Sequence, residues 1–233
     1  LDQASNDGIT PAYIASQNGH EACLVVLRDA ECDLGQASNN GATPVYVASQ
    51  NGHKACLVVL RDAGCDLGQA SNDGVTPAYI ASQNGHKACL VVLRDAGCDL
   101  GQASNTGITP ACAASGDGHE ACLVILRDAG CDLGQASNDG FTPACAASQN
   151  GHEACLVVLR DAGCDLGQAS NDGDTPACAA SLNGHKACLV VLRDAGCDLG
   201  QASNDGVTPA YIASLNGHEA CLVVLRDAGC DLG

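Results

Sequence analysis

The sequence predicts an all-α solenoid of seven stacked helix-turn-helix units with protruding β-turn or hairpin loops, and three observations predict it. The first is a strict period: Pro11, Pro44, Pro77, Pro110, Pro143, Pro176 and Pro209 are each 33 residues apart, as are His20, His53, His86, His119, His152, His185 and His218. A fixed period of about 20 to 50 residues marks a stacked repeat architecture whose units contact only their neighbours. The second is that every period carries two short helix patterns, each closed by glycine. The third is a composition 46% hydrophobic but only 2% aromatic, which leaves Ala, Val, Leu, Ile and Cys to fill thin, closely stacked layers.

The units run 5–37, 38–70, 71–103, 104–136, 137–169, 170–202 and 203–233, a single array over 1–233. Leu1-Asp2-Gln3-Ala4 matches Leu34-Gly35-Gln36-Ala37, so residues 1–4 read as the tail of a preceding unit, and Gly233 stands two residues short of a completed one. The expectation is an excerpt of a longer array, in which case the lack of a leader segment carries no information.

In the third unit, Asn72-Asp73-Gly74 is a turn signal. Thr76 is a good N-cap, and Pro77 suits the first helical position, where its missing N–H loses nothing. A first helix over about Pro77–Gln83 should end at Asn84-Gly85, since Gly adopts the left-handed conformation of a helix terminus. A second, from His86 or Lys87 to Ala96, should end at Gly97, with 98–103 as an extended connector. Cys89, Val92, Leu93 and Ala96 fall at i, i+3, i+4 and i+7, an apolar stripe that Leu90 widens, and Lys87, Val91 and Asp95 lie opposite. One hairpin cannot bury that stripe alone, whereas stacked hairpins can.

The string Gly74-x-Thr76-Pro77-Ala78-x-x-Ala81, then Asn84-Gly85-His86, then Leu93, then Ala96-Gly97-Cys98-Asp99-Leu100, resembles the ankyrin repeat, whose signature is G-x-T-P-L-H-x-A-A, then G-H, then L-L, then G-A-D-V-N. The resemblance extends over all seven units. It departs where the family's His is Tyr13, Tyr46, Tyr79 and Tyr211 or Cys112, Cys145 and Cys178, where the Leu of T-P-L is Ala12 or Val45, and where the second Leu of L-L is Arg94. It implies non-catalytic protein recognition through a concave groove, and a His of the G-H pair that bonds backbone of a neighbouring unit.

A net charge of −17 opposes binding to nucleic acid, which needs basic side chains to neutralise phosphates, and equally opposes anionic membranes. Apolar runs such as Ala88 to Leu93 are about a third of a membrane span. Seventeen cysteines recur with the repeat in an odd number and without C-x-x-C, so they read as small core residues of a reducing, intracellular compartment. Histidines one repeat apart are too widely spaced for two to bind one metal ion, so no metal and no cofactor is expected. An active site needs an asymmetric set of groups, and a repeat would multiply any such set sevenfold, so no enzyme is expected.

What distinguishes the copies is the candidate site. At the loop tip stand Asp7, Asn40, Asp73, Thr106, Asp139, Asp172 and Asp205. After the turn Gly come Ile9, Ala42, Val75, Ile108, Phe141, Asp174 and Val207, and near the end of the first helix Gln17, Gln50, Gln83, Gly116, Gln149, Leu182 and Leu215. By the resemblance these positions face the groove and would meet a protein partner of unknown identity; neutral drift among duplicated units would also produce such differences. A correlated change replaces Tyr-Ile or Tyr-Val by Cys-Ala at 112–113, 145–146 and 178–179.

The alternative class is a structural array that stacks head to tail into a fibre or spacer. No polar cap is visible: the first unit should expose Ile14, Cys23 and Leu27, and the seventh Ile212, Cys221 and Leu225, so the ends are expected to meet something. Val25, Val58, Val91, Val124, Val157, Val190 and Val223 fall on the outward helix face and could make lateral homotypic contacts.

Overall fold

A computed structural model describes residues 4–232. Among these there are fourteen helices and no strand, two helices to each 33-residue unit. The first helices are α1 (Pro11–Gln17), α3 (Pro44–Gln50), α5 (Pro77–Gln83), α7 (Pro110–Gly116), α9 (Pro143–Asn150), α11 (Pro176–Leu182) and α13 (Pro209–Leu215). The second are α2 (Glu21–Asp29), α4 (Lys54–Asp62), α6 (Lys87–Asp95), α8 (Glu120–Asp128), α10 (Glu153–Asp161), α12 (Lys186–Asp194) and α14 (Glu219–Asp227).

The chain divides into two compact bodies. One comprises the chain up to Pro110 with Asp128–Cys131, the other Ala111–Arg127 with the chain from Asp132 onward. In the first body α1, α3 and α5 pack in one row and α2, α4 and α6 in another, with each hairpin closed by contact between its own two helices. In the second, α9, α11 and α13 form one row and α10, α12 and α14 the other.

Local chemistry sets the helix limits. Thr76 has extended backbone, its hydroxyl accepts a hydrogen bond from the Tyr79 N–H at 3.1 Å, and Pro77 follows at the first helical position. Asn84 caps the other end, its Nδ2 donating to the Ile80 carbonyl at 2.8 Å, and Gly85 turns the chain with φ 72°. The second helix starts after His86, its cap, and Gly97 at φ 79° leaves it. In the connector, the Asp99 carboxylate accepts from the Gly101 N–H at 2.8 Å, a local turn that tucks Leu100 into the core at 3% exposure.

The core is made of the second-helix leucines. Leu57, Leu60, Leu90, Leu93, Leu156, Leu159, Leu189 and Leu192 are all fully buried, flanked by Cys56, Cys89, Cys155 and Cys188. Burying such a leucine contributes about 1.5–3 kcal/mol. The stripe is therefore Cys89, Leu90, Val92 and Leu93; Ala96, which the period assigned to it, is the exposed C-cap. The valine row is not a free outward ladder either: Val25, Val58, Val91, Val124, Val157 and Val190 are half-buried, and only Val223 is exposed, at 36%.

The cysteines fall into three classes, which corrects their uniform assignment to the core. Nine are buried (Cys56, Cys89, Cys112, Cys122, Cys145, Cys155, Cys178, Cys188 and Cys221), while Cys32, Cys65, Cys98, Cys131, Cys164, Cys197 and Cys230 are half-buried and Cys23 is exposed. The half-buried row follows the second helix, at the rim beside the exposed Asp66, Asp99 and Asp132. Native labelling with an aqueous thiol reagent should modify Cys23 first, the rim row more slowly, and the nine buried thiols only on unfolding.

Glu31 stands where the other six units have Gly, and among the described residues it is the one non-glycine with positive φ, at 56°. Its N–H donates to the Arg28 carbonyl at 2.9 Å, as Gly64 N–H does to Arg61 at 2.9 Å, so the helix end is kept and the side chain is strained instead of the turn being remodelled. A Cβ at Gly64 would meet nothing within 4 Å, which leaves backbone conformation as the whole cost. Glu31→Gly is expected to stabilise the first unit by about 1 kcal/mol, read as slower amide exchange in α2. Unchanged exchange would show that Glu31 is unstrained.

Candidate functional site

The side chains that differ between units lie on two features, the loop tips and the C-terminal ends of the first helices. Each tip is closed on itself and tied to its neighbour. Within the first unit, Ser5 N–H donates to the Ile9 carbonyl at 2.9 Å and Gly8 N–H to Ser5 at 3.0 Å. Between units, Asn39 donates twice backwards, from N–H to the Asp7 carbonyl and from Nδ2 to the Asn6 carbonyl, both at 3.0 Å. Asn72, Asn105, Asn171 and Asn204 repeat this pair of bonds. The turn signal at Asn72 does not by itself disclose this ladder between units; its one trace in the sequence is an asparagine every 33 residues beside the variable tip residue.

A second ladder runs along the first-helix ends. His53 Nε2 lies 3.1 Å from the Gln17 carbonyl, His86 3.0 Å from that of Gln50, and His152, His185 and His218 3.0, 3.1 and 3.1 Å from those of Gly116, Gln149 and Leu182. The imidazoles thus hold neighbouring units together, as the resemblance implies. Among the described residues no group of three His, Cys, Asp or Glu side chains is arranged to hold a metal ion.

These ladders fix the backbone and leave many of the variable side chains outside. In the first body Asp7, Gln17, Asn40, Gln50, Asp73 and Thr106 are exposed, and Ile9, Val75, Gln83 and Ile108 half-buried. Ala42 is buried at 3%, whereas the longer Ile9, Val75 and Ile108 at the same position of the same turn are half-buried, so its methyl is closed to a partner. Asn40 is partly committed too, its Oδ1 accepting from the Ser38 hydroxyl and the Ala42 N–H. In the second body Asp139, Gln149, Asp172, Asp174, Leu182, Asp205 and Leu215 are exposed, and Gly116, Phe141 and Val207 half-buried.

Two features of the second body stand out. Leu182 and Leu215 take the place of glutamine at the ends of α11 and α13, which pack together, and they are 50% and 72% exposed, with Tyr211 at 59% nearby on α13. The Cys-Ala exchange also rewires the helix ends. In units with Ile or Val the asparagine bonds its own helix, as Asn84 does to Ile80 at 2.8 Å, whereas Asn150 Nδ2 reaches back to the Gly116 carbonyl at 2.8 Å and Asn183 to that of Gln149 at 2.9 Å. The small Ala146 permits this: its methyl lies 3.7 Å from where a Cβ on Gly116 would stand, space that a branched side chain would fill.

Burial makes Cys112 and Cys145 poor nucleophiles. Burial first, and the neighbouring Cys145 second, push the Cys112 thiol up to about 12, and burial followed by the Asp174 carboxylate and Cys178 raises Cys145 against hydrogen bonds to Thr142. In the first body, burial and then Tyr13 and Asp73 raise the Tyr46 phenol.

Sequence comparison agrees with this geometry. The profile of the family described as Ankyrin repeats matches three times, over residues 1–71, 78–169 and 156–233. The chain belongs to the ankyrin repeat family. No curated protein sequence matches it significantly. Among solved structures, the human ASB11 ankyrin repeat domain is similar with a TM-score of 0.83 at 22% identity, over 93% of this chain and 98% of that one. The ankyrin repeat domain of Bcl-3, described as a unique member of the IkappaB protein family, gives 0.76 at 21% identity, over 95% and 100%. At such identities the likeness concerns the fold. Ankyrin repeat domains are generally protein–protein interaction modules, and among the described residues no helix of this one is long and apolar enough to cross a membrane.

Proposed function

We propose that this ankyrin array is a non-catalytic scaffold that binds a protein partner through the loop tips and first-helix ends, with Leu182 and Leu215 as the apolar anchor. The observation that carries the reading is the exposure of these two leucines, 50% and 72%, at positions where four other units place glutamine. Adjacent exposed apolar side chains on a surface otherwise lined with polar groups mark an interaction site, and binding energy concentrates in such anchors. The tip carboxylates Asp139, Asp172, Asp174 and Asp205 are exposed in the same body, so the fitting partner carries an apolar segment flanked by basic residues. The same acidity disfavours nucleic acid and anionic membrane as ligands.

Affinity capture with three forms of the chain tests this: the natural sequence, Leu182→Asp with Leu215→Asp, and Ala187→Lys on the exposed side of α12 as control. Proteins held by the natural chain and the control should be lost at least about tenfold from the double variant. A captured set unchanged in the double variant but altered by the control would contradict the proposal.

A further inference from the structure

The first helices of the first body carry a row of tyrosines. Tyr13, Tyr46 and Tyr79 are each the third residue of their helix, and each backbone N–H donates to the capping hydroxyl of Thr10, Thr43 or Thr76 at 3.1 Å. The three rings therefore leave their helices at the same point, and all three are half-buried. Tyr46 keeps an open edge although α1 and α5 pack on either side of α3, so that edge belongs to the face between helix and tip and not to a stacking surface. Burial first, then the Tyr13 phenol and the Asp73 carboxylate, raise the Tyr46 phenol, which puts the preceding ring and the following tip beside it. Burial raises Tyr13 as well, so both hydroxyls are protonated donors at neutral pH. In the second body three consecutive units have Cys112, Cys145 and Cys178 at this position, buried at 4%, 2% and 3%.

Spacing and charge select the occupant of this row. α1, α3 and α5 pack directly, and packed helices stand about 8–10 Å apart, so the face offers one ring at each such step. A polyproline II segment has three residues per turn at about 3.1 Å each, about 9 Å in all, and sets every third side chain on one side. A β-strand does not fit, because residues three apart point to opposite faces. An α-helix has already spent its carbonyls on internal hydrogen bonds, whereas a polyproline II segment has none, and its carbonyls are open to phenol donors. The face is also of one sign. Residues 5–17, 38–50 and 71–83, which make the tips and first helices of these units, contain no Lys or Arg, and Asp7 and Asp73 are exposed at two of the tips. An arginine guanidinium laid against a phenol ring and beside a tip carboxylate gains from both.

We propose that the row of Tyr13, Tyr46 and Tyr79 is a docking groove for a proline-rich protein segment in polyproline II conformation with arginine at every third position. One guanidinium meets each ring, Asp7 and Asp73 balance the charge, and the phenol hydroxyls donate to carbonyls of the segment. Three rings span two inter-unit steps, about 16–20 Å, which about seven residues of such a segment cover. Rings held by their helices and a segment that is already extended lose little freedom on binding. The groove belongs to the first body and uses neither Leu182 nor Leu215.

Fluorescence anisotropy of the full chain with a labelled Arg-Pro-Pro-Arg-Pro-Pro-Arg peptide tests this. Binding should saturate, and a peptide of the same composition ordered Arg-Pro-Arg-Pro-Arg-Pro-Pro, which breaks the three-residue interval, should bind at least about tenfold more weakly. Tyr46→Ala should weaken binding at least about tenfold, and Tyr46→Phe, which keeps the ring and removes the donor, about fivefold. Asp73→Asn, at an exposed position, should also weaken it about fivefold, and circular dichroism verifies that the variants fold. The double variant Leu182→Asp with Leu215→Asp should bind the peptide as the natural chain does, so this groove and the leucine anchor succeed or fail separately. Absence of saturable binding overturns the proposal. So does equal affinity for the two peptides, which would be plain charge attraction, unchanged affinity in both Tyr46→Phe and Asp73→Asn, or loss of peptide binding in the leucine double variant.

Discussion

Gly184→Ala should destabilise the second body by about 3–5 kcal/mol, whereas Gly217→Ala, at the same position one unit later, should cost about 1–2 kcal/mol. The backbone is the same at both sites, with φ 74° and 73°. An alanine in that left-handed conformation brings its methyl against the following carbonyl, which accounts for the smaller figure. At Gly184 the methyl would also stand 2.7 Å from His218 Nδ1, while at Gly217 nothing lies within 4 Å. The ring must move, giving up its contact with the Leu182 carbonyl at 3.1 Å and loosening the stack of α11 on α13. Urea denaturation of the two variants checks this, and equal losses would show that the histidine ladder does not hold the units together.

Raising the pH should destabilise the second body steeply above about pH 9. Burial lifts Cys112 and Cys155 from 9.0 to about 12 and Cys188 to about 11, aided by Cys145 at the first, by Glu120, Cys122 and Cys188 at the second, and by Glu153 and Cys221 at the third. The sign follows from proton counts. Below pH 9 both states hold these protons and the thiols add their full stabilisation; above it the unfolded chain releases protons that the folded chain retains. Stability is thus lost as pH rises toward the folded values. Each thiol contributes a slope of about 1.4 kcal/mol per pH unit in that window, and three together about 4 kcal/mol per unit. Denaturation between about pH 8 and about pH 11 measures the slope, and Cys112→Ala should lower it by about 1.4 kcal/mol per pH unit, the share of one thiol. A flat profile would mean that these thiols titrate normally in the folded state.

Much of the fold was legible because the determinants are local and repeated. Thr76-Pro77, Asn84-Gly85 and Gly97 set the limits of α5 and α6 within a residue, since capping chemistry acts over one turn of chain. Glu31 was legible as a strained exception by the same reasoning. What escaped was three-dimensional. A helical wheel divides a helix into an inner and an outer face, but α6 meets both its sister helix α5 and the neighbouring α4, so Leu90 is fully buried and Val91 half-buried. The direction of stacking is invisible to a period, which is why Cys221 and Leu225, both at 0% exposure, were expected bare and Tyr211, at 59%, was not. In the candidate site, Leu182 and Leu215 showed themselves by differing from the other copies. Ala42 differed as well, yet it is buried, because a methyl is too short to emerge from a turn in which Ile9 and Val75 are only half-buried.

Hydrogen–deuterium exchange on the array bound to its captured partner tests most directly the claim that this ankyrin domain recognises protein through its tips and first-helix ends. Binding should slow exchange in the 170–182 and 203–215 segments, which hold the exposed carboxylates and the two leucines, and leave α10, α12 and α14 unchanged. Protection confined to those second helices, with the tips and Leu182 and Leu215 exchanging as in the free chain, would contradict it.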